Sequence, residues 1–391
     1  MTDIVHGWCE PGFGRVRDAL SEILAGGEEI GAALAVCVGG HLVVDLWAGY
    51  ADAARTRPWD RDTIVNLYSI GKAVTAVCAL RLVEAGRLDL DAPVARYWPE
   101  FAQAGKAQIP VRYLLTHQAA LPAIARPLPS GAWSHWDVMT AALAAQAPWW
   151  EPGTGHGYHV NTQGFLVGEV VRRITGKTLG TYLREAVTGP AGVDFFIGLG
   201  PELEGRCADV LPQQATPEGD ELRRQLSVNP ASLSGLPLMR VTAYRNPPEV
   251  SGTGVVNTRP WRAAEVPSTN GHGNARAVAR LYSALAGDGE LGGVHVLSPE
   301  MIARATEQQV YGDDIVLQRP TRFGLGFQLT MAERPLGPSS RAFGHFGAGG
   351  SLGFAADPDA RVAFGYAMNQ GRGGWQHKHV RHLIDLVYAT L

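Results

Sequence analysis

Thr63-Ile64-Val65-Asn66-Leu67-Tyr68-Ser69-Ile70-Gly71-Lys72 decides how this chain is read, because an apolar strand-like run gives way here to a long apolar helical pattern from Ala73. If the helix starts near Ser69, then Ser69 and Lys72 lie about 300° apart around its axis, one turn apart on a shared face. An amine at Lys72 then reaches the Ser69 hydroxyl. A serine needs a neighbour to take its proton, and a lysine of ordinary pKa, about 10.4, does so only where burial or nearby positive charge lowers that value. A helix N-terminus supplies positive potential, and the Ser69 backbone N–H is a donor for a developing oxyanion. Taken alone, S-x-x-K is short enough to arise by chance, and the bare alternative is an exposed helix start.

Before this stretch, residues 13–24 carry Phe13, Val16, Leu20, Ile23 and Leu24 at helical spacing, and strand runs over 32–38 and 42–47 surround Gly39-Gly40. The longest apolar stretch, 31–49, is broken by Gly39-Gly40-His41 and Asp45, which makes it a hairpin instead of a membrane span. After Ser69 the periodic segments are helical, over 73–85, 111–116, 136–145, 164–175 and 275–286, with Pro/Gly-rich loops between them. Strands return at 324–330, 353–356 and 362–369; 330–340 is a surface loop and 378–388 a closing helix. Residues 210–260 fit neither period and read as a long ordered excursion of the kind that borders sites. The pattern predicts one α/β layer made by both chain ends, with a helical region inserted between them.

The chain has 391 residues, 34 basic and 37 acidic, for a net charge of -3. That length holds a large core in one large or two intimately packed domains. The charge gives no electrostatic case for nucleic acid or an anionic membrane as partner. Cys9, Cys37, Cys78 and Cys207 are far apart with no C-x-x-C, so they read as reduced core residues, not a disulfide frame or zinc site. The opening Met1-Thr2-Asp3-Ile4-Val5-His6-Gly7 has neither a basic nor an apolar signal region, and the expectation is a cytoplasmic protein.

Two further segments carry chemistry. Tyr158 stands in the loop Gly155-His156-Gly157-Tyr158-His159-Val160-Asn161-Thr162. It is either a half-buried corner aromatic or a phenol whose pKa falls near a lysine, making a phenolate or shared proton available to Ser69. Phe343-Gly344-His345-Phe346-Gly347-Ala348-Gly349-Gly350-Ser351 is rich in glycine beside a strand, where a substrate can lie along the edge and the Ala348 N–H can act as a second oxyanion donor. The bland alternative is a plain hairpin.

In this order, S-x-x-K, a tyrosine in a Gly-rich loop and H-x-G on a late strand, the chain resembles the serine β-lactamase and D-alanyl-D-alanine carboxypeptidase-like superfamily. It looks most like class C β-lactamase-like esterases, the family VIII carboxylesterases. The resemblance also takes in Asp89-Leu90-Asp91-Ala92-Pro93-Val94, Leu114-Leu115-Thr116-His117, Glu151-Pro152-Gly153 and the stretch 344–353, so it spans nearly the whole chain. It implies an antiparallel sheet flanked by the N- and C-terminal helices, with residues 1–68 and 300–391 forming an α/β domain. Residues 69–299 would form an inserted, mainly helical domain, and the site would lie in the cleft between the two. It further implies Ser69 as nucleophile, Lys72 and Tyr158 as base and proton relay, and the Ser69 and Ala348 amides as the oxyanion hole. His345, Phe346 and Gly347 replace the family's K-T-G. Where β-lactamase and peptidase members have Y-x-N, this chain has Val160, with Asn161 one residue late. That shift, and an imidazole in place of an ammonium, favour esters over lactams or peptides.

Other features of the chain compete with these. Gly349-Gly350-Ser351-Leu352-Gly353 matches the G-x-S-x-G elbow, but that elbow needs a helix after it and the following residues read as strand, turn, strand. Trp133 and Trp150 are candidates for an apolar acyl wall, with rim packing as the alternative. His377, His379 and His382 read as a solvated helix face, not a metal site. Asn270-Gly271-His272-Gly273-Asn274 either faces the cleft or caps the next helix through Asn274.

The expectation is a serine carboxylesterase acting on small to medium esters through an acyl-enzyme on Ser69. His345, Phe346, Gly347, Asn161, Trp133 and Trp150 would contact substrate, and no metal or cofactor is called for. A β-lactamase, amidase or acyltransferase on the same fold, and a penicillin-binding receptor that acylates without turnover, are the alternatives.

Overall fold

Gly39 and Gly40 take φ of +58° and +88°, the left-handed pair that a two-residue hairpin turn requires. They join β2 (Gly31–Val38) to β3 (His41–Gly49) as the alternation of residue types predicts. The structure, a computed structural model, describes residues 5–348, 353–373 and 377–391. Among these, β1 (His6–Cys9), β2, β3, β4 (Val310–Asp313), β5 (Pro320–Phe323), β6 (Gln328–Leu329), β7 (Phe343–Gly344), β8 (Gly353–Asp357) and β9 (Val362–Met368) form one antiparallel sheet. The order is β1-β3-β2-β9-β8-β7-β6-β5-β4. The two chain ends meet where β9 pairs β2 from Val362 opposite Val38 to Met368 opposite Ala32.

β2 is apolar throughout because it is covered on both faces. Ala32, Leu34 and Val36 face α1 (Gly14–Ala25) and the C-terminal helix Lys378–Tyr388, in a core with Leu20, Phe364 and Leu383. Ala33, Ala35 and Cys37 face the core shared with α2 (Ile70–Glu84), α3 (Thr162–Thr175) and α4 (Ala275–Ala286). α4 packs directly on β2, β8 and β9. The sequence places that helix in the inserted region, but its apolar stripe is spent on the sheet, and Gly365 is the residue that lets it approach: a Cβ there would lie 2.2 Å from the Ala275 carbonyl oxygen.

α2 is buried on nearly every side, which is why it shows no single apolar face. The expected strand over 324–330 is instead interrupted: Gly324 N–H bonds the Phe327 carbonyl at 2.9 Å, and Gly326, at φ +84°, brings the turn against Ala76 of α2. The expected helix over 111–116 is one turn, Arg112–Leu115. Residues 210–260 hold the helices Pro217–Leu226 and Gly235–Arg245, where the sequence shows no period. Pro217–Leu226 is mostly exposed and polar, and it is held by a Thr216 cap, a proline in its first turn and the pairs Arg223–Asp220 and Arg224–Glu221, so it carries no apolar stripe to read.

The four cysteines are free, and three of them are buried. His379 is packed against Glu29, Nε2 to Oε1 3.1 Å, and only His382 of the three C-terminal histidines stands out in solvent. Among the described residues no helix is long and apolar enough to cross a membrane, and no group of side chains is arranged to hold a metal ion.

Candidate active site

The strand Val65–Tyr68 pairs with Gly271–Gly273 in a small separate sheet and ends on Tyr68 at φ +50°, an uncommon conformation for a side-chain-bearing residue. The sharp turn hands the chain to α2 with Ser69 at the N-cap. Gly71 is obligatory in this setting, since a Cβ would sit 2.1 Å from the Pro267 carbonyl oxygen. Its absence lets the segment after Pro267 close on the first turn of α2.

That approach sets the surroundings of Lys72, whose side chain is 1% exposed. Its Nζ lies 3.1 Å from Ser69 Oγ, 2.6 Å from the Val160 carbonyl oxygen and 2.9 Å from the Ser268 carbonyl oxygen. No carboxylate pairs with it among the described residues, and burial holds its pKa well below the ordinary lysine value. A neutral amine has two hydrogens and one lone pair. The two carbonyls take the hydrogens, so the lone pair faces the Ser69 hydroxyl.

Tyr158 completes the group. Its hydroxyl hydrogen-bonds the Ser69 side chain, and Lys72 Nζ sits 4.7 Å from the centre of its ring. Burial pushes the phenol above its ordinary pKa. The phenolate reading is therefore reversed: the phenol keeps its proton and Lys72 is the member that loses one. Asp314, 1% exposed, holds this loop by accepting the N–H groups of Tyr158, Val316 and Leu317 at 2.9–3.0 Å and the Thr321 hydroxyl at 3.2 Å. His117, at φ +62°, packs edge-on to Tyr158 and accepts the His159 N–H at Nδ1, 3.2 Å.

His345 follows β7 and brings its ring to 6.1 Å from that of Tyr158, centroid to centroid. Burial pushes its pKa down to about 3, so the imidazole is neutral. Phe346 packs in the core beneath the terminal helices, with Arg334 3.3 Å from its ring centre. Its side chain is thereby removed from the substrate-contact set. Gly347 is half-buried and Ala348 exposed.

The remaining candidates divide. Asn161 Nδ2 donates to the Ala243 carbonyl and to Ser251, and its Oδ1 accepts from the Thr269 hydroxyl, so both of its amide hydrogens are used within the fold. Trp133 packs in the helical core against Trp261, centroids 5.1 Å apart, and is no cleft wall. Trp150 lies against Gly157 and the cluster that contains Tyr158 and Phe323. Asn274 caps α4 through Ala277 N–H at 2.8 Å, which decides the reading of that loop. Ser351 falls outside the described residues, but the residues after it form strand β8 where the rival elbow needs a helix.

Sequence reasoning missed Asp314, His117 and the two carbonyls that hold Lys72. His117 belongs to a segment the resemblance singles out, which was its one signal.

The model of one family, Beta-lactamase, matches this chain over residues 16–389. The chain belongs to the beta-lactamase family. Within that family it is 34% identical to a Mycobacterium tuberculosis protein named esterase/beta-lactamase LipL, over 94% of this chain and 83% of that one. Among solved structures, a family VIII carboxylesterase superposes with a TM-score of 0.89 at 40% identity, covering 99% of this chain and all of the other. A penicillin-binding protein homolog from Caulobacter crescentus gives a TM-score of 0.89 at 38% identity with the same coverage. As a beta-lactamase family member the chain has the mixed fold of helices and antiparallel sheet expected from its sequence.

Proposed function

We propose that this protein is a serine carboxylesterase that cleaves small to medium esters through an acyl-enzyme on Ser69. The observation that carries the reading is the setting of Lys72: buried, with its two amine hydrogens taken by the Val160 and Ser268 carbonyls and its remaining lone pair 3.1 Å from Ser69 Oγ.

In the first half-reaction Lys72 takes the Ser69 proton as Oγ attacks the ester carbonyl. The oxyanion is received by backbone amides, of which Ser69 and Ala348 are the candidates. Tyr158, a protonated phenol bonded to Ser69, gives its hydrogen to the departing alkoxide and recovers one from Lys72. Water then releases the acid and restores Ser69.

Two features support esters over lactams and amides. Both Asn161 Nδ2 hydrogens are turned to Ala243 and Ser251, leaving no donor for the carbonyl of a substrate amide. A neutral His345 stands where an ammonium would anchor a substrate carboxylate. Similarity to a solved family VIII carboxylesterase points the same way, whereas the relative LipL is named for both esterase and beta-lactamase. Comparing p-nitrophenyl ester with β-lactam hydrolysis tests the choice: ester turnover supports it, and a much larger rate on the lactam overturns it. A burst that stops after one equivalent would point instead to a receptor.

A further inference from the structure

His345 holds a buried lone pair that the first half-reaction does not use. Its Nδ1 lies 2.9 Å from the Phe346 carbonyl oxygen. A carbonyl only accepts, so Nδ1 carries the hydrogen and Nε2 is a bare acceptor. Nε2 is buried and has no hydrogen-bond partner among the described residues. The ring stands beside Tyr158, whose hydroxyl bonds Ser69. A buried acceptor left unmet is costly, so a molecule that brings a donor to it is favoured.

We propose that His345 Nε2 receives one hydrogen of the water that deacylates Ser69, making His345 a catalytic residue that selects water over alcohols as acyl acceptor. This rests on the acyl-enzyme reading above. Water has two O–H groups: one proton goes to the Lys72 amine as the oxygen bonds the acyl carbon, and the other hydrogen is held by His345. The tetrahedral intermediate then breaks its bond to Ser69 Oγ, Lys72 returns its proton to Oγ, and the hydrogen held by His345 leaves on the product acid. A simple alcohol has a single O–H, which Lys72 must take, so it leaves His345 unmet. The neutral state of the imidazole, set by burial, keeps Nε2 an acceptor throughout the ordinary pH range.

The test is product partitioning of the acyl-enzyme from p-nitrophenyl butyrate in buffer with graded methanol, read as methyl butyrate against butyrate. H345F removes the acceptor and should raise the methyl ester fraction, relative to water, by about five- to tenfold, as expected for the loss of one hydrogen bond. H345M should do the same, and H345Q, which keeps an acceptor oxygen at similar reach, should stay near the wild-type ratio. A wild-type ratio in either apolar variant that folds overturns the proposal. The rate of p-nitrophenol release in the same samples reports acylation separately, and a fluorophosphonate label that falls elsewhere than on Ser69 in the wild-type enzyme would sink the acyl-enzyme reading and not merely the role of His345.

Discussion

Asp314 receives the backbone N–H of Tyr158 on both carboxylate oxygens, each at 3.0 Å. The contact ties the phenol-bearing loop to the turn that follows β4, so the position of the Tyr158 hydroxyl depends on a residue 156 positions away. D314A leaves three backbone donors and the Thr321 hydroxyl without their acceptor. It should cost on the order of 3 kcal/mol in stability and lower kcat more than it raises KM. Thermal unfolding and steady-state ester kinetics measure both; unchanged kcat in a folded variant would separate Asp314 from the placement of Tyr158.

Lys72 acts only as the neutral amine. Activity should therefore rise with pH through its depressed pKa and be lost below it as the amine protonates. K72R keeps a cationic donor but has no neutral form, so kcat/KM should fall by about 10²–10⁴-fold, whatever the pH. A pH profile of p-nitrophenyl acetate hydrolysis for both proteins checks this.

Tyr158 supplies a hydroxyl to a site whose packing its ring already fills against Phe323 and His117. Y158F should keep stability within about 1 kcal/mol and lose about 10²–10⁴-fold in kcat. A loss of stability as large as that of D314A would mark the hydroxyl as a structural group instead.

Buried neutral histidines set the acid limit of the fold. Burial lowers the pKa of His159 and His345 to about 3 and that of His272 to about 4, from an ordinary value of 6.5. The unfolded chain binds these protons first. Their contribution is thus fully present above 6.5 and declines as pH falls toward 4, each group adding up to about 1.4 kcal/mol per pH unit. Melting temperature followed across this range should drop steeply on the acid side; a flat profile would contradict neutral burial.

The Ser69–Lys72 geometry was legible because helical spacing is a local property, and Tyr158 because the order of three motifs placed it. The acceptors that tune Lys72 were not. Val160 and Ser268 act through carbonyl oxygens, 88 and 196 positions away, and a carbonyl leaves no mark of residue type. Asn161 and Trp133 were misplaced for a related reason: polar and aromatic side chains near a site look alike in sequence whether they face the substrate or hold the wall behind it. Both chain ends were correctly joined in one sheet because strand runs flanked a helical middle, whereas α4 was assigned to that middle because amphipathic period does not say which surface a helix covers. Helix Pro217–Leu226 carried no apolar stripe, so only its caps and charge pairs could have shown it.

The central claim is a serine made nucleophilic by a desolvated amine one turn along its helix, and the most direct test is the pH dependence of fluorophosphonate labelling with the adduct located by peptide mass spectrometry. The account predicts label on Ser69, at a rate that levels off with an apparent pKa well below the ordinary 10.5 of lysine. Label on Ser351, or a rate at Ser69 that keeps climbing toward 10.5, would contradict it.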